Sequence, residues 1–167
     1  MKDLVLIAHN LRSSHNVGSL LRTAEGLGVA KVIFSGYTPY PLMKNDPRMP
    51  HISRKIHAQI IKTSLGAEDL IAWEHTEDIA ACIKLLKSTG YTICALEQSP
   101  ESIPLISYKT PQKCALIIGR EVEGIEPDIL EMCDVIVEIP MHGSKESFNV
   151  VQAAAMALYQ FQYMPKQ

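Results

Sequence analysis

No two histidines in this 167-residue chain stand four apart. The H-x-x-x-H and H-E-x-x-H spacings, which put two imidazoles on one helix face, are therefore absent, and no metal is expected. His9 and His15 are six apart, as are His51 and His57, so neither pair shares a helix face. The four cysteines, Cys82, Cys94, Cys114 and Cys133, lie singly in apolar stretches, a pattern of buried reduced thiols and not of a disulfide framework. No apolar run approaches the roughly 20 residues that cross a bilayer, which argues against a membrane partner. The opening MKDLVLIAHN has too short an apolar run for a signal segment and reads as the first strand of a cytoplasmic protein. There is no internal repeat and no low-complexity tract.

Two nucleotide-binding motifs are also missing. Gly26 and Gly28 form a G-x-G, but Lys31 stands where the third glycine of a dinucleotide fingerprint belongs, and these glycines close a helix instead of opening one. The G-S-K at Gly143 has Glu138 where a phosphate-binding loop needs its upstream glycine.

What is present suits one compact domain over residues 1–167: 47% of residues are hydrophobic and 20% charged, enough apolar material for a core and too little charge for disorder. The net charge of −2 hides a polarity, because residues 1–62 hold nine Lys/Arg against three Asp/Glu. A molecule polarised in this way can steer a polyanion to one face.

Apolar runs rich in Val, Ile and Leu recur at residues 4–8, 31–35, 91–96, 115–118 and 135–139, with a weaker candidate at 70–73. Their near-continuous apolar character is that of strands covered on both faces of a parallel sheet. Helical patterns fall between them. Val17, Leu20, Leu21, Ala24 and Leu27 follow the i, i+3, i+4, i+7 spacing, with Gly28 as a left-handed cap. A weaker pattern at Ile52, Ile56 and Ile60 follows a proline-rich loop, another helix runs from Glu77 to Thr89 before Gly90, and a short turn opens at Pro127. This alternation predicts an α/β fold, a parallel sheet flanked by helices.

Three polar clusters stand at the carboxyl ends of expected strands, where open parallel sheets place their ligands. The first, HNLRSSHNVGSLLRTAEGLGV, sets Asn16 at a helix mouth and Arg22 further along it; a planar, permanently charged guanidinium on a rigid helix suits a phosphate or a developing oxyanion. The second, CALIIGREVEGIEP, places Ile118, Gly119, Glu121 and Gly124 in a tight turn, where glycine lets a ligand approach the backbone. The third, IPMHGSKESFNVVQAAAMALYQF, passes from strand to a loop containing Met141 and Gly143, then to Ser147 and Asn149 at the start of a helix. Main-chain amides in such a loop and helix mouth are donors wanting an acceptor. Ala153, Ala154, Ala155 and Ala157 make that helix slim enough to be approached closely by a second subunit.

In order and in register, these clusters resemble the three signature motifs of the TrmH/SpoU branch of the SPOUT superfamily of RNA methyltransferases. The resemblance implies a deep C-terminal trefoil knot, S-adenosylmethionine bound in it, a homodimer, and methylation of a ribose 2′-hydroxyl of tRNA or rRNA. It implies catalytic roles for Arg22, Asn16, Glu121, Ser147 and Asn149. Cofactor contacts are expected from Ile118, Gly119, Ile139, Met141, Gly143, Ser147, Phe148 and Asn149, those of Ile139 and Met141 largely through backbone. Phe148 replaces a more common leucine and Gln152 a small residue; neither removes a functional group. The family proposal makes Arg22 a base, which conflicts with arginine's persistent charge; stabilising a forming alkoxide is the reading that keeps the charge. RNA phosphates are expected on the basic amino-terminal half, at Arg12, Lys44, Arg48, Arg54 and Lys55. The rivals are a knotted RNA-binding protein without catalysis and a SPOUT base methyltransferase.

Overall fold

In the computed structural model, which describes residues 1–164, the apolar runs become one seven-stranded sheet ordered β3-β2-β1-β6-β4-β7-β5. The first half of the chain runs β1 (Asp3–His9), α1 (Ser14–Gly26), β2 (Lys31–Ser35), α2 (Pro50–Ser64), α3 (Ala67–Leu70), β3 (Trp73–Thr76) and α4 (Ile79–Ser88). The second runs β4 (Thr92–Leu96), β5 (Ile103–Pro104), a 3-10 turn (Leu105–Ser107), β6 (Lys113–Ile118), α5 (Pro127–Glu131), β7 (Val135–Glu138) and α6 (Val150–Tyr163). Every strand pair is parallel, as the unbroken apolar runs require.

Alternate residues of the strands face two separate cores. Leu4, Leu6, Val32, Phe34, Leu116 and Ile118 pack under α1 and α6 on one side, and Val5, Ile7, Ile33, Ile93 and Ile117 pack with Ile79, Ile83 and Ile129 of α4 and α5 on the other. Burying one such Leu or Ile side chain contributes about 2 kcal/mol.

α1 starts where the Ser13 side chain accepts the Asn16 N–H, and it ends in a paired closure. The Gly28 N–H donates to Glu25 and the Val29 N–H to Ala24, with Gly28 at φ +68°, the glycine-capped geometry expected of it. α1 packs on α2 at Gly18, where a Cβ would lie 2.2 Å from both the Ile60 carbonyl oxygen and Thr63 Oγ1. Only glycine lets the two backbones meet so closely.

Three elements differ from the expectation. The third strand is Trp73–Thr76, not 70–73; Leu70 ends α3 and is 74% exposed. β3 pairs with β2 alone, and an edge strand of sequence WEHT has no apolar run to announce it. α3 and the two-residue β5 are too short to carry a periodic signal.

Leu96 at the end of β4 and Ile103 at the start of β5 both pair with Val137 of β7. Residues 97–102 must therefore arch from one side of β7 to the other at its carboxyl end, where the chain leaves towards α6. α6 then returns to the sheet. The Gln160 side chain donates to the Leu105 carbonyl at 3.2 Å, and Gln162 accepts from the Lys2 main-chain N–H at 3.0 Å.

Candidate active site

β1, β6, β4 and β7 are neighbours in the sheet, and the segments following them meet at its carboxyl edge. The segments after β4, β6 and β7 enclose a cavity of about 560 Å³ lined by Leu96–Gln98, Ile118–Gly124, Glu138, Ile139 and residues 146–150, with Ala153; the segment after β1 packs against this wall without lining it. Such a volume is ordinary for a small-molecule site. Ile118, Gly119, Ile139, Ser147, Phe148 and Asn149 line it, as does Glu121. Met141 and Gly143 do not.

Irregular segments form two of its walls. Residues 139–149 adopt neither helix nor strand, and Asn149 caps α6 by accepting the Val151 N–H at 2.9 Å. Opposite, Gly119–Ile125 folds back on itself: the Gly124 N–H donates to the Arg120 carbonyl at 3.2 Å, and Arg120 Nε donates to the Gly124 carbonyl at 3.3 Å. A Cβ on Gly119 would lie 2.6 Å from Ile125 Cγ1, so the doubled-back loop needs glycine there.

Three carboxylates between β6 and α5 each meet the segment that runs from the end of β1 into the first turn of α1. Asn16 Nδ2 donates to Glu121 Oε1 at 3.2 Å, Arg12 pairs with Glu123 at 2.8 Å, and Asn10 Nδ2 donates to Glu126 Oε1 at 3.0 Å. Behind them lies buried His9, whose Nδ1 is 2.6 Å from Ser35 Oγ and whose Nε2 is 3.1 Å from both Asn10 Nδ2 and Glu126 Oε2. A neutral His9 protonated on Nε2 donates to Glu126 Oε2, a buried oxygen with no other donor, and its Nδ1 then accepts from the Ser35 hydroxyl. Burial lowers the His9 pKa below 6.5 against the opposing pull of Glu126. Burial also pushes the Glu126 carboxyl up, but its own N–H, Asn10, His9 and Arg120 together hold it below the ordinary 4.5.

Arg22 stands apart from the cavity. It is exposed on α1 and, with Thr23, Gly26, Leu27, Ala155 and Tyr159, lines a separate shallow hollow between α1 and α6. It stands six positions along the helix from Asn16, a rise of about 9 Å and a rotation of about 240°, so the two side chains leave different faces.

The basic residues divide sharply. Arg48 is turned inward: it donates to the Tyr40 and Pro41 carbonyls at 2.9 Å, to Asp46 at 2.8 Å, and stacks 3.5 Å from the Tyr40 ring centroid. His75 stacks on that ring at 4.2 Å, and the Arg48 hydrogen bonds hold the Asp46 carboxyl far below the usual carboxylate range. Arg48 thus braces the proline-rich loop, a role that the position of one arginine in a sequence does not reveal. Arg12 is paired with Glu123. Lys44, Arg54, Lys55 and also Lys62 are exposed and make no hydrogen bond or ion pair among the described residues. Among those residues no group of three or more His, Cys, Asp or Glu is placed to hold a metal ion, and no helix is long and apolar enough to cross a membrane.

A model of the SpoU rRNA methylase family matches residues 3–159. The chain belongs to that family. It is 32% identical over 155 residues to the 23S rRNA (guanosine-2′-O-)-methyltransferase RlmB of Neisseria meningitidis, covering 93% of this chain and 56% of that protein. It is 27% identical over 161 residues to the tRNA (guanosine(18)-2′-O)-methyltransferase of Aquifex aeolicus, covering 96% and 69%. The fold matches the A. aeolicus TrmH/SpoU tRNA modifying enzyme with a TM-score of 0.80 at 25% identity, over 97% of this chain and 75% of that one. It matches the AdoMet-bound rRNA methyltransferase of Sinorhizobium meliloti with a TM-score of 0.79 at 17% identity, over 96% and 56%. This SpoU chain spans little more than half the length of the RlmB proteins it matches.

Proposed function

We propose that the protein transfers a methyl group from S-adenosylmethionine to a ribose 2′-hydroxyl of tRNA or rRNA, in the cytoplasm, as a homodimer of one-domain subunits. The observation that carries this is the cavity at the carboxyl edge, where the second and third motif loops face each other and Glu121 of its lining is held from behind by Asn16 of the first.

The cavity's chemistry fits the cofactor. Leu96, Ile118, Ile139 and Phe148 offer apolar surface for an adenine, and Glu121, Glu123, Glu138 and Glu146 against Arg120 alone favour a cationic ligand such as a sulfonium. S-adenosylmethionine, when bound, supplies an activated methyl group. The chain's part is to hold the nucleoside by loop backbone, place the ribose oxygen in line, and stabilise the charge that grows on that oxygen as its proton leaves.

Arg22 suits that last task, and one subunit alone does not bring it to the cavity. A second copy packed on α1 and α6 would supply it. Tyr159 of α6 lines the Arg22 hollow, and Met156, Tyr159 and Tyr163 are exposed at 38, 56 and 51%, apolar surface that a partner copy would cover. Arg22 then holds the ribose-adjacent phosphate and the developing oxyanion in its partner's site.

A threaded carboxyl terminus is part of the proposal. An arch of residues 97–102 over the end of β7 is the opening such a knot needs, and Gln98 Nε2 of the arch donates to the Glu146 carbonyl at 2.9 Å in the segment that leaves β7. We assign RNA phosphates to the exposed cations Arg54, Lys55 and Lys62, in a stretch without Asp or Glu between Asp46 and Glu68, and to Lys44 just before it. Titrating the protein with S-adenosylmethionine in a calorimeter tests the reading: micromolar binding is expected. Its absence, with RNA binding intact, would favour a knotted RNA-binding protein without catalysis.

A further inference from the structure

Glu97 and Gln98, at the carboxyl end of β4, belong to none of the three motifs, yet both line the cavity. The Glu97 backbone is anchored to the sheet, its N–H donating to the Val137 carbonyl at 3.0 Å. Its carboxylate receives two main-chain donors: the Ile125 N–H at 3.0 Å on Oε2 and the Gln98 N–H at 2.9 Å on Oε1.

The Ile125 contact is the one that matters for shape. Gly124, just before it, has φ +71°, and a Cβ there would lie 2.3 Å from Glu97 Oε2. The carboxylate is therefore seated directly against the turn that closes Gly119–Ile125 into its doubled-back form. Glu121 and Glu123, at the tip of that loop, are the groups that meet Asn16 and Arg12. On the other side, Gln98 Nε2 holds the Glu146 carbonyl, next to Ser147. Two adjacent residues on a rigid strand end thus touch both loops that face each other across the cavity.

We propose that Glu97 is a positioning residue: through the Ile125 N–H it sets the Gly119–Ile125 loop in the form that receives the nucleoside, and Gln98 ties the facing loop to it. This rests on reading the cavity as the S-adenosylmethionine site. Removing the carboxylate leaves two amides without their acceptor and frees the turn at Gly124, while α1, α2 and the basic surface keep their own contacts.

The test uses the full chain as wild type, Glu97→Ala and Glu97→Gln, with two readouts. The first is hydrogen exchange of the Ile125 amide in the nucleoside-free protein, expected to lose protection at least tenfold in Glu97→Ala and to recover most of it in Glu97→Gln, whose carbonyl still accepts. The second is calorimetry with S-adenosylmethionine and S-adenosylhomocysteine, expected to weaken about tenfold for both in Glu97→Ala, with RNA affinity in the absence of nucleoside within twofold of wild type. Unchanged Ile125 exchange in Glu97→Ala overturns the proposal. So does a loss confined to the sulfonium compound, which would make Glu97 a charge contact, or an equal loss of RNA binding, which would make it a general fold determinant. Wild-type protein that binds neither nucleoside overturns the cavity reading itself, and this inference with it.

Discussion

Asn16 and Glu121, 105 residues apart in the chain, are joined by a hydrogen bond of 3.2 Å that links the mouth of α1 to the loop after β6. It is the central link of three between those segments, and the only one made by two residues to which the family resemblance assigns catalytic roles. Asn16→Ala and Glu121→Ala are each expected to lower kcat/KM by about tenfold to a hundredfold, and the double variant by little more than either alone, because groups that act as a unit are not additive. Steady-state kinetics over the four proteins checks this; multiplicative losses would show that the two side chains act separately.

Arg48 and the pair Arg54/Lys55 should behave oppositely. Arg48→Ala removes the guanidinium bonds to Tyr40, Pro41 and Asp46 and leaves the Asp46 carboxylate with main-chain N–H donors alone and no counter-charge, a loss of about 3 kcal/mol. Urea unfolding would read that loss, while the salt dependence of RNA binding stays as in wild type. Arg54→Ala and Lys55→Ala should leave the midpoint of unfolding alone and each reduce the slope of log affinity against log salt by about one. A full salt slope in both would place the RNA elsewhere.

Much of this arrangement is legible in the amino-acid sequence. Buried parallel strands advertise themselves by composition, so β1, β2, β4, β6 and β7 were legible, and the glycine-rich or polar segments following β1, β6 and β7 marked the edge where the cavity forms. Short or edge elements such as β3, β5 and α3 leave no periodic trace. Direction was also hidden: Arg48 and Arg54 are equally basic in sequence, and only the aromatic ring and carbonyls around Arg48 turn it inward. Glu97 escaped notice because its partner, the Ile125 amide, is main chain and 28 residues away.

Gly18→Ala tests the seat of α2 on α1. The added Cβ would meet the Ile60 carbonyl and Thr63 Oγ1 at 2.2 Å, and the helices must separate. A loss of about 2–3 kcal/mol is expected from such overpacking, measured by urea unfolding. A neutral effect would mean that the helices shift freely.

Acid should weaken the fold in two stages. The His9 pKa is lowered from 6.5, so as pH falls below 6.5 the unfolded chain takes up a proton more readily than the folded one, and stability drops. The Glu126 pKa is lowered from 4.5; its contribution is present above 4.5 and is lost as pH falls towards its folded value. Melting temperature against pH should therefore decline from about pH 6.5 to 5, and His9→Gln, though less stable at pH 7.5, should be flat over that interval. An equal decline in the variant would assign the effect to another group.

Transfer itself is the most direct measurement. RNA is incubated with the purified protein and S-adenosylmethionine carrying a deuterated methyl group, then digested to nucleosides and weighed by mass spectrometry. The label should be found on a ribose as a 2′-O-methylnucleoside, and should vanish with Arg22→Ala. Label on a base, or no label on tRNA and rRNA from cells deprived of the gene, would contradict the account.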